Sequence, residues 1–252
     1  MVYRPDSGPV EAVRDITFSV GRGELCALVG PSGCGKSTVL RLVAGLRQAT
    51  AGTVRVAGRP VTRPIADLGM VFQQPVLLRW RTVLDNVLLP AELAGHDPRR
   101  HTQRARELLA LVGLGEFADK LPRELSGGMQ QRAALCRALL LDPPLLLMDE
   151  PFGALDAMTR DEMNLELLRV WGEGAPARKT VLFVTHSIPE AAFLADRVVL
   201  MTPRPGRVAR VFAVDLPRPR TVETRGSPAF ARLSLEIYEA LIAAGARPAP
   251  AG

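Results

Sequence analysis

The sequence predicts an α/β fold with a doubly wound, mostly parallel sheet, and three observations carry that prediction. Four short runs, Leu25–Val29, Leu145–Met148, Thr180–Thr185 and Val198–Met201, are continuously apolar or β-branched. Such runs suit central parallel strands covered on both faces. Helical patterns lie between them, the alternation that builds a parallel sheet. The run Leu25–Val29 also leads straight into a glycine-rich turn and then a helix start.

The remaining elements follow in chain order. Ile16-Thr17-Phe18-Ser19-Val20 alternates apolar and polar residues and predicts a half-buried strand ending at Gly21. Gly52 to Gly58 reads as another strand, bracketed by turn-forming glycines. From about Leu84 to Leu141 the pattern turns helical and predicts a helical insertion. Within it, Arg104–Val112 groups its apolar residues on one side and stops at Gly113 and Gly115. Met129–Leu141 is a second helix, stopped by Asp142-Pro143-Pro144. After Pro203 the chain is rich in proline and arginine, with an edge strand expected at Arg207–Val214. A last helix opens at Ser227-Pro228, an N-cap followed by proline at the first helical position. Phe230, Leu233, Ile237 and Leu241 give it one apolar face.

Composition narrows the classes of function. With 252 residues and 47% hydrophobic content, the chain can bury a substantial core. Charged residues, glycine or proline interrupt every apolar run before the ~18–20 residues a membrane span needs. The N-terminal Met1-Val2-Tyr3-Arg4-Pro5 lacks the apolar core of a secretory signal, so the protein is expected to stay in the cytosol. Cys26, Cys34 and Cys136 show no C-x-x-C spacing and are expected to be free thiols. His96, His101 and His186 form no metal-ligand pattern with them. The net charge of +6 comes from scattered arginines with only three lysines, Lys36, Lys120 and Lys179, and no dense basic block. No nucleic-acid partner is expected.

Gly30-Pro31-Ser32-Gly33-Cys34-Gly35-Lys36-Ser37-Thr38 fits G-x-x-x-x-G-K-[ST] in full, between a strand and a helix. Glycines let successive backbone N–H groups point into one concavity, and the helix N-terminus adds its dipole there. Lys36 can reach the outer phosphates of a nucleoside triphosphate, and the Ser37 hydroxyl can ligate Mg²⁺. Leu147-Met148-Asp149-Glu150 supplies the chemistry, an apolar strand ending in two acids. Asp149 is assigned to the metal and Glu150 to the base that orients or deprotonates the attacking water. Leu125-Ser126-Gly127-Gly128-Met129-Gln130 opens a helix with a second anion site. One monomer scarcely needs two helix N-termini for one phosphate chain. The second site makes more sense if it serves a nucleotide held mainly by another subunit.

With these residues in place, the sequence resembles the ATP-binding subunits of ABC transporters over nearly its whole length. Leu125 to Gln130 is similar to the family signature LSGGMQ, which implies that Ser126, Gly127, Gly128 and Gln130 face nucleotide. Gln73 resembles the glutamine that senses Mg²⁺ and the γ-phosphate. Ala154-Leu155-Asp156 is similar to the D-loop, which adds Asp156 to the nucleotide-facing set. His186 resembles the switch histidine, a satisfied buried histidine being the alternative. Tyr3 stands where an aromatic residue stacks on adenine.

The resemblance implies a P-loop NTPase fold with a mostly parallel central sheet, a small antiparallel β subdomain and a helical insertion. It places these in one nucleotide-binding domain over 1–252, with the insertion at about 77–141 and a tail and helix at about 203–252. It further implies ATP and Mg²⁺, a head-to-tail dimer sandwiching two ATP molecules, and membrane permease subunits energised by closure and opening. A solute-binding protein acts indirectly, and the location is the cytoplasmic face of the membrane with no spanning segment.

A narrower similarity joins Leu77 to Val87, Pro151 to Arg160 and Pro203 to Arg207 to the importers of nitrate, sulfonates and taurine. Arg79 departs from that group's proline, Ser187 from its aspartate and Cys136 from its alanine. Ser187 to Glu190 still predicts a capping box. The family's usual first strand is expected to be missing, because the chain begins almost at Tyr3, as a misplaced start codon would make it. Leu77 to Arg81 combines apolar residues, Trp80 and two arginines, so it is expected either to meet the permease or to pack Trp80 within the helical part. Two rival functions stand beside the importer. One is a soluble ABC protein acting on DNA or ribosomes, which usually carries two cassettes or a long coiled-coil insertion. The other is a regulatory module without hydrolysis, against which Glu150 and His186 argue.

Overall fold

The computed structural model describes residues 1–3, 10–153, 155–173 and 178–245. Its strands in chain order are β1 (Val2–Tyr3), β2 (Val10–Glu11), β3 (Leu25–Val29), β4 (Arg55–Val56), β5 (Arg59–Pro60), β6 (Gly69–Val71), β7 (Leu145–Asp149), β8 (Thr180–Thr185), β9 (Arg197–Met201) and β10 (Val208–Ala213). Its α-helices are α1 (Lys36–Val43), α2 (Val83–Leu93), α3 (Thr102–Leu111), α4 (Gly127–Leu139), α5 (Ala157–Trp171), α6 (Ile188–Leu194), α7 (Val222–Arg225) and α8 (Pro228–Ala243). They divide between two compact units, residues 1–65 with 171–252, and residues 66–170.

In the first unit β3 is flanked by β8 and β9, parallel to both, and β10 closes the edge antiparallel to β9. All five residues of β3 are buried, as are five of six in β8 and four of five in β9. The uninterrupted apolar runs predicted this, since a strand covered on both faces has no solvent side on which to place polar residues. β10, the expected edge strand, buries only Phe212. The last helix starts where its cap predicts, with the Ser227 side chain accepting from the Phe230 N–H. Phe230 and Ile237 of its apolar face are buried.

Trp171 is fully buried with Arg178 and Arg218 stacked on its ring, 4.5 and 4.3 Å from the centroid. Arg218 also bridges Glu173 and Asp196 at 2.6 and 2.9 Å. Arg220, itself buried, donates to the carbonyls of Phe193 and Ala195, both at 2.7 Å, at the C-terminal end of α6.

Four expectations need correction. Ile16–Val20 forms no strand; its exposure alternates as predicted, but no neighbouring strand pairs with it. The Gly52–Gly58 strand shrinks to β4, which pairs with β5 through a two-residue turn. Ala57 and Gly58 both have positive φ there, the geometry of a tight hairpin, so the glycine marks a turn inside the segment. A short first strand is present, as β1 pairs antiparallel with β2. The capping box at Ser187 is half formed. Its hydroxyl accepts from Glu190 N–H at 3.3 Å, while the Glu190 carboxylate bonds the Thr185 hydroxyl.

In the second unit β6 and β7 pair in parallel, Gly69 to Val71 against Leu146 to Met148. The helices α2, α3 and α4 pack on one another around Val87, Leu108, Leu109, Ala133 and Leu135, all buried. The helices predicted at Arg104–Val112 and Met129–Leu141 are α3 and α4, each displaced about two residues toward the N-terminus. Ser126 caps α4 through Met129 N–H, which explains the earlier start. Among the described residues no helix is long and apolar enough to cross a membrane.

Candidate active site

In the first unit, residues 30–35 form the turn between β3 and α1, and α1 begins at Lys36. Gly35 is the N-cap with φ 104°, where a Cβ would stand 2.4 Å from Val13. Only glycine meets both demands. Lys36 is 5% exposed and its ammonium donates to the carbonyls of Gly30 at 2.8 Å and Pro31 at 3.1 Å. The side chain therefore arches back over the loop, with the α1 N-terminus behind it. Cys34 and Thr38 are buried, Ser37 is half-buried, and Ser32 and Gly33 face solvent. Lysine, a hydroxyl and a helix N-terminus at one turn are the donor set a polyphosphate requires.

His186 follows β8 directly and is exposed, so the alternative of a satisfied buried histidine does not hold. Tyr3 lies in β1 with its backbone beside Val10, but its side chain lies outside the described residues.

In the second unit Asp149 ends β7 and is buried. Glu150 follows with φ 46°, a left-handed conformation that costs a non-glycine residue about 1–3 kcal/mol and clusters at functional sites. Gly153 N–H returns to the Glu150 carbonyl at 3.2 Å and closes the turn that holds it. The Gln73 side-chain amide donates to the Glu150 carboxylate at 3.2 Å, joining two predicted residues 77 positions apart.

The signature segment opens α4. Ser126 accepts from Met129 N–H at 3.2 Å, Gly127 is exposed and Gly128 packs by Leu155. Gln130 donates to the carbonyls of Pro122 and Leu125 at 3.0 and 3.2 Å, so its amide nitrogen fastens the loop before the helix. Asp156 precedes α5, and its carboxylate accepts from Thr159 N–H at 3.0 Å. The hydrogen bonds from Thr159 hold its pKa below the usual carboxylate range. Ala154, the first residue of the expected D-loop, lies outside the described residues.

Several residues that sequence reasoning did not single out fix the segment on either side of Gln73. Gln131, buried in α4, donates to Phe72 O at 3.0 Å. Arg137 reaches Pro75 O at 2.7 Å and Val76 O at 2.8 Å. Asn86, fully buried in α2, accepts from Leu78 N–H at 2.7 Å and donates to the carbonyls of Leu78, Arg81 and Thr82 at 3.0, 3.2 and 2.9 Å. A buried asparagine in an otherwise apolar helical stretch is a signal that could have found the last of these. With this bracing Trp80 is 75% exposed, which overturns its packing within the helical part.

The three cysteines are free and buried, as expected. Burial pushes the thiols of Cys26 and Cys136 up to about 12. Among the described residues no group of three or more His, Cys, Asp or Glu side chains is placed to hold a metal by itself.

These features define an ATP-binding cassette, and the chain belongs to the ABC transporter family, whose profile matches residues 13–153. It is 47% identical over 219 residues to an uncharacterized ABC transporter ATP-binding protein of Methanocaldococcus jannaschii, covering 87% of this chain and 81% of that one. It is 47% identical to the taurine import ATP-binding protein of Rhizobium johnstonii, covering 90% and 88%. Identity to the nitrate import ATP-binding protein of Synechococcus elongatus is 45%, covering 93% and 86%. The fold matches the dimeric structure of the ABC transporter cassette MJ0796 with TM-score 0.76 and 32% identity, covering 84% of this chain and 95% of that one.

Proposed function

We propose that the chain is the ATP-hydrolysing subunit of an ABC importer, at the cytoplasmic face of the membrane. It energises a permease for nitrate, taurine, another sulfonate or a related small solute delivered by a solute-binding protein. The observation that carries the hydrolytic reading is the Gln73–Glu150 hydrogen bond beside a left-handed backbone at Glu150. The Gln73 amide aims the carboxylate, as a group that positions an attacking water must be aimed. Residues 30–38 cradle the phosphates, with Lys36 on the outer ones. Ser37, Gln73 and Asp149 are the oxygen donors that fit Mg²⁺, which when bound neutralises phosphate charge. Glu150 orients the attacking water and His186 answers to the γ-phosphate.

Ser126, Gly127, Gly128, Gln130 and Asp156 complete the site of a second copy in a head-to-tail dimer, and Tyr3 stacks on adenine. Residues 77–141 form the helical insertion of a single nucleotide-binding domain over 1–252, with the tail and last helix at about 203–252. The taurine and nitrate import relatives favour this reading over a soluble ABC ATPase of DNA or ribosomes.

The test pairs two variants. Lys36→Ala loses ATP affinity, whereas Glu150→Gln keeps it, turns over at under about 1% of the wild-type rate and dimerises on Mg-ATP. Hydrolysis by Glu150→Gln near the wild-type rate removes Glu150 from its role. A monomer in saturating Mg-ATP within the full transporter sinks the dimer.

A further inference from the structure

We propose that Arg204 is a positioning residue for nucleotide binding, holding the Gly33–Cys34 peptide with its N–H turned into the phosphate loop. The inference rests on residues 30–38 being that loop. Arg204 belongs to the turn Pro203-Arg204-Pro205-Gly206, and its Nε donates to the Gly33 carbonyl at 3.1 Å. A trans peptide points its C=O and N–H in opposite directions. With the carbonyl held toward Arg204, the Cys34 N–H faces the interior of the loop. There it reaches Pro31 O at 3.3 Å, the same oxygen that accepts from Lys36 Nζ at 3.1 Å.

The peptide is one that turns easily, because Gly33 sits at φ 75° and has no Cβ to resist rotation. Turned the other way, it would present a carbonyl oxygen to an anion instead of a donor. Arg204 weights the donor orientation by giving the carbonyl a cationic partner on the outside.

The turn that carries Arg204 is itself anchored. Gly206 N–H donates to Ala12 O at 3.0 Å, and Arg14 N–H donates to Gly206 O at 2.9 Å. Gly206 lies so close to the loop that a Cβ there would stand 2.0 Å from Cys34 O. The loop is thus braced at two consecutive carbonyls, Gly33 by a hydrogen bond and Cys34 by contact. The sequence singles out Pro203 to Arg207 as a motif, and bracing gives it a physical purpose.

The experiment measures affinities of the full chain for Mg-ATP and Mg-ADP by calorimetry, with KM, kcat and the melting temperature without nucleotide. Arg204→Ala is expected to weaken both nucleotides and raise the KM for ATP about tenfold, the worth of one charge-assisted hydrogen bond at an exposed site, with a smaller effect on kcat. Arg204→Gln, which keeps a planar N–H donor without the charge, restores part of the affinity. Melting stays within about 2 °C of wild type, because Arg204 is exposed and buries no core.

Wild-type affinity in Arg204→Ala overturns the proposal, as does a loss of affinity that tracks a loss of melting temperature. Full rescue by Arg204→Lys with none by Arg204→Gln also overturns it, since charge alone would then suffice. Lys36→Ala separates the two levels. If Lys36→Ala binds normally the loop assignment itself fails, and if only Arg204→Ala binds normally the role of Arg204 fails.

Discussion

Replacing Asn86 by alanine tests how the exposed loop at Trp80 is held. The side chain makes one acceptor and three donor bonds, to Leu78, Arg81 and Thr82. Truncation does not orphan all four groups. Leu78 O keeps Arg81 N–H at 3.2 Å, and Thr82 O keeps Asn86 N–H at 2.9 Å. Leu78 N–H and Arg81 O lose this partner, and a small cavity opens in a fully buried position. Two part-buried backbone groups at about 1 kcal/mol each, plus a fraction of a kcal/mol for the void, give a loss of about 2–3 kcal/mol. Urea unfolding followed by circular dichroism should show the midpoint falling by that free energy divided by the m-value, with the m-value unchanged. Asn86→Asp should be no better, because it keeps an acceptor, loses both amide N–H donors with the three bonds they make, and buries a charge. In the assembled transporter the ATPase should persist while its stimulation by the permease falls. A loss under about 0.5 kcal/mol, with stimulation intact, would refute the bracing argument.

Three shorter predictions accompany it. Trp80→Ala should leave folding and ATP binding unchanged, because the ring is 75% exposed, yet weaken pull-down of the permease; normal pull-down places the contact elsewhere. Arg79→Pro should preserve that pull-down if only the loop's shape counts and reduce it if the arginine's charge is used, which a salt titration separates. Alkaline pH should destabilise the fold through Cys26 and Cys136. Each thiol is pushed up to about 12 in the fold, so the folded state retains a proton that the unfolded chain begins to lose near pH 9. The stability is present below pH 9 and declines as pH rises toward 12, by about 1.4 kcal/mol per thiol at pH 10. Cys136→Ala should flatten the curve of melting temperature against pH, and an unchanged curve refutes the assignment.

How much of this was legible in the sequence depends on how local the deciding interaction is. β3, α4 and α8 were readable because an apolar run, a serine cap and a following proline are decided within a few residues. Ile16–Val20 has the alternation of a strand, yet a strand needs a partner, and pairing is a long-range fact that periodicity does not contain. β6 went unnoticed for the complementary reason. Gly69-Met70-Val71 is too short to show a period and is defined by its pairing with β7. At the site, the strand–turn–helix around Lys36 was legible in full. The closeness of Gln73 and Glu150, and the bracing by Gln131, Arg137 and Arg204, arise between positions distant in sequence. Spacing carries no trace of them.

The chain's two tryptophans occupy opposite extremes, Trp80 at 75% exposure and Trp171 at 0%, the latter clasped by two guanidinium groups. This makes the protein its own optical probe. Trp80 emits from water and is open to acrylamide quenching, while Trp171 emits from an apolar, cation-flanked interior closed to it. A partner that covers the Leu77–Arg81 loop therefore changes only the red-shifted, quenchable component. Docking of a permease can be timed on the unlabelled protein, with the buried indole as an internal reference.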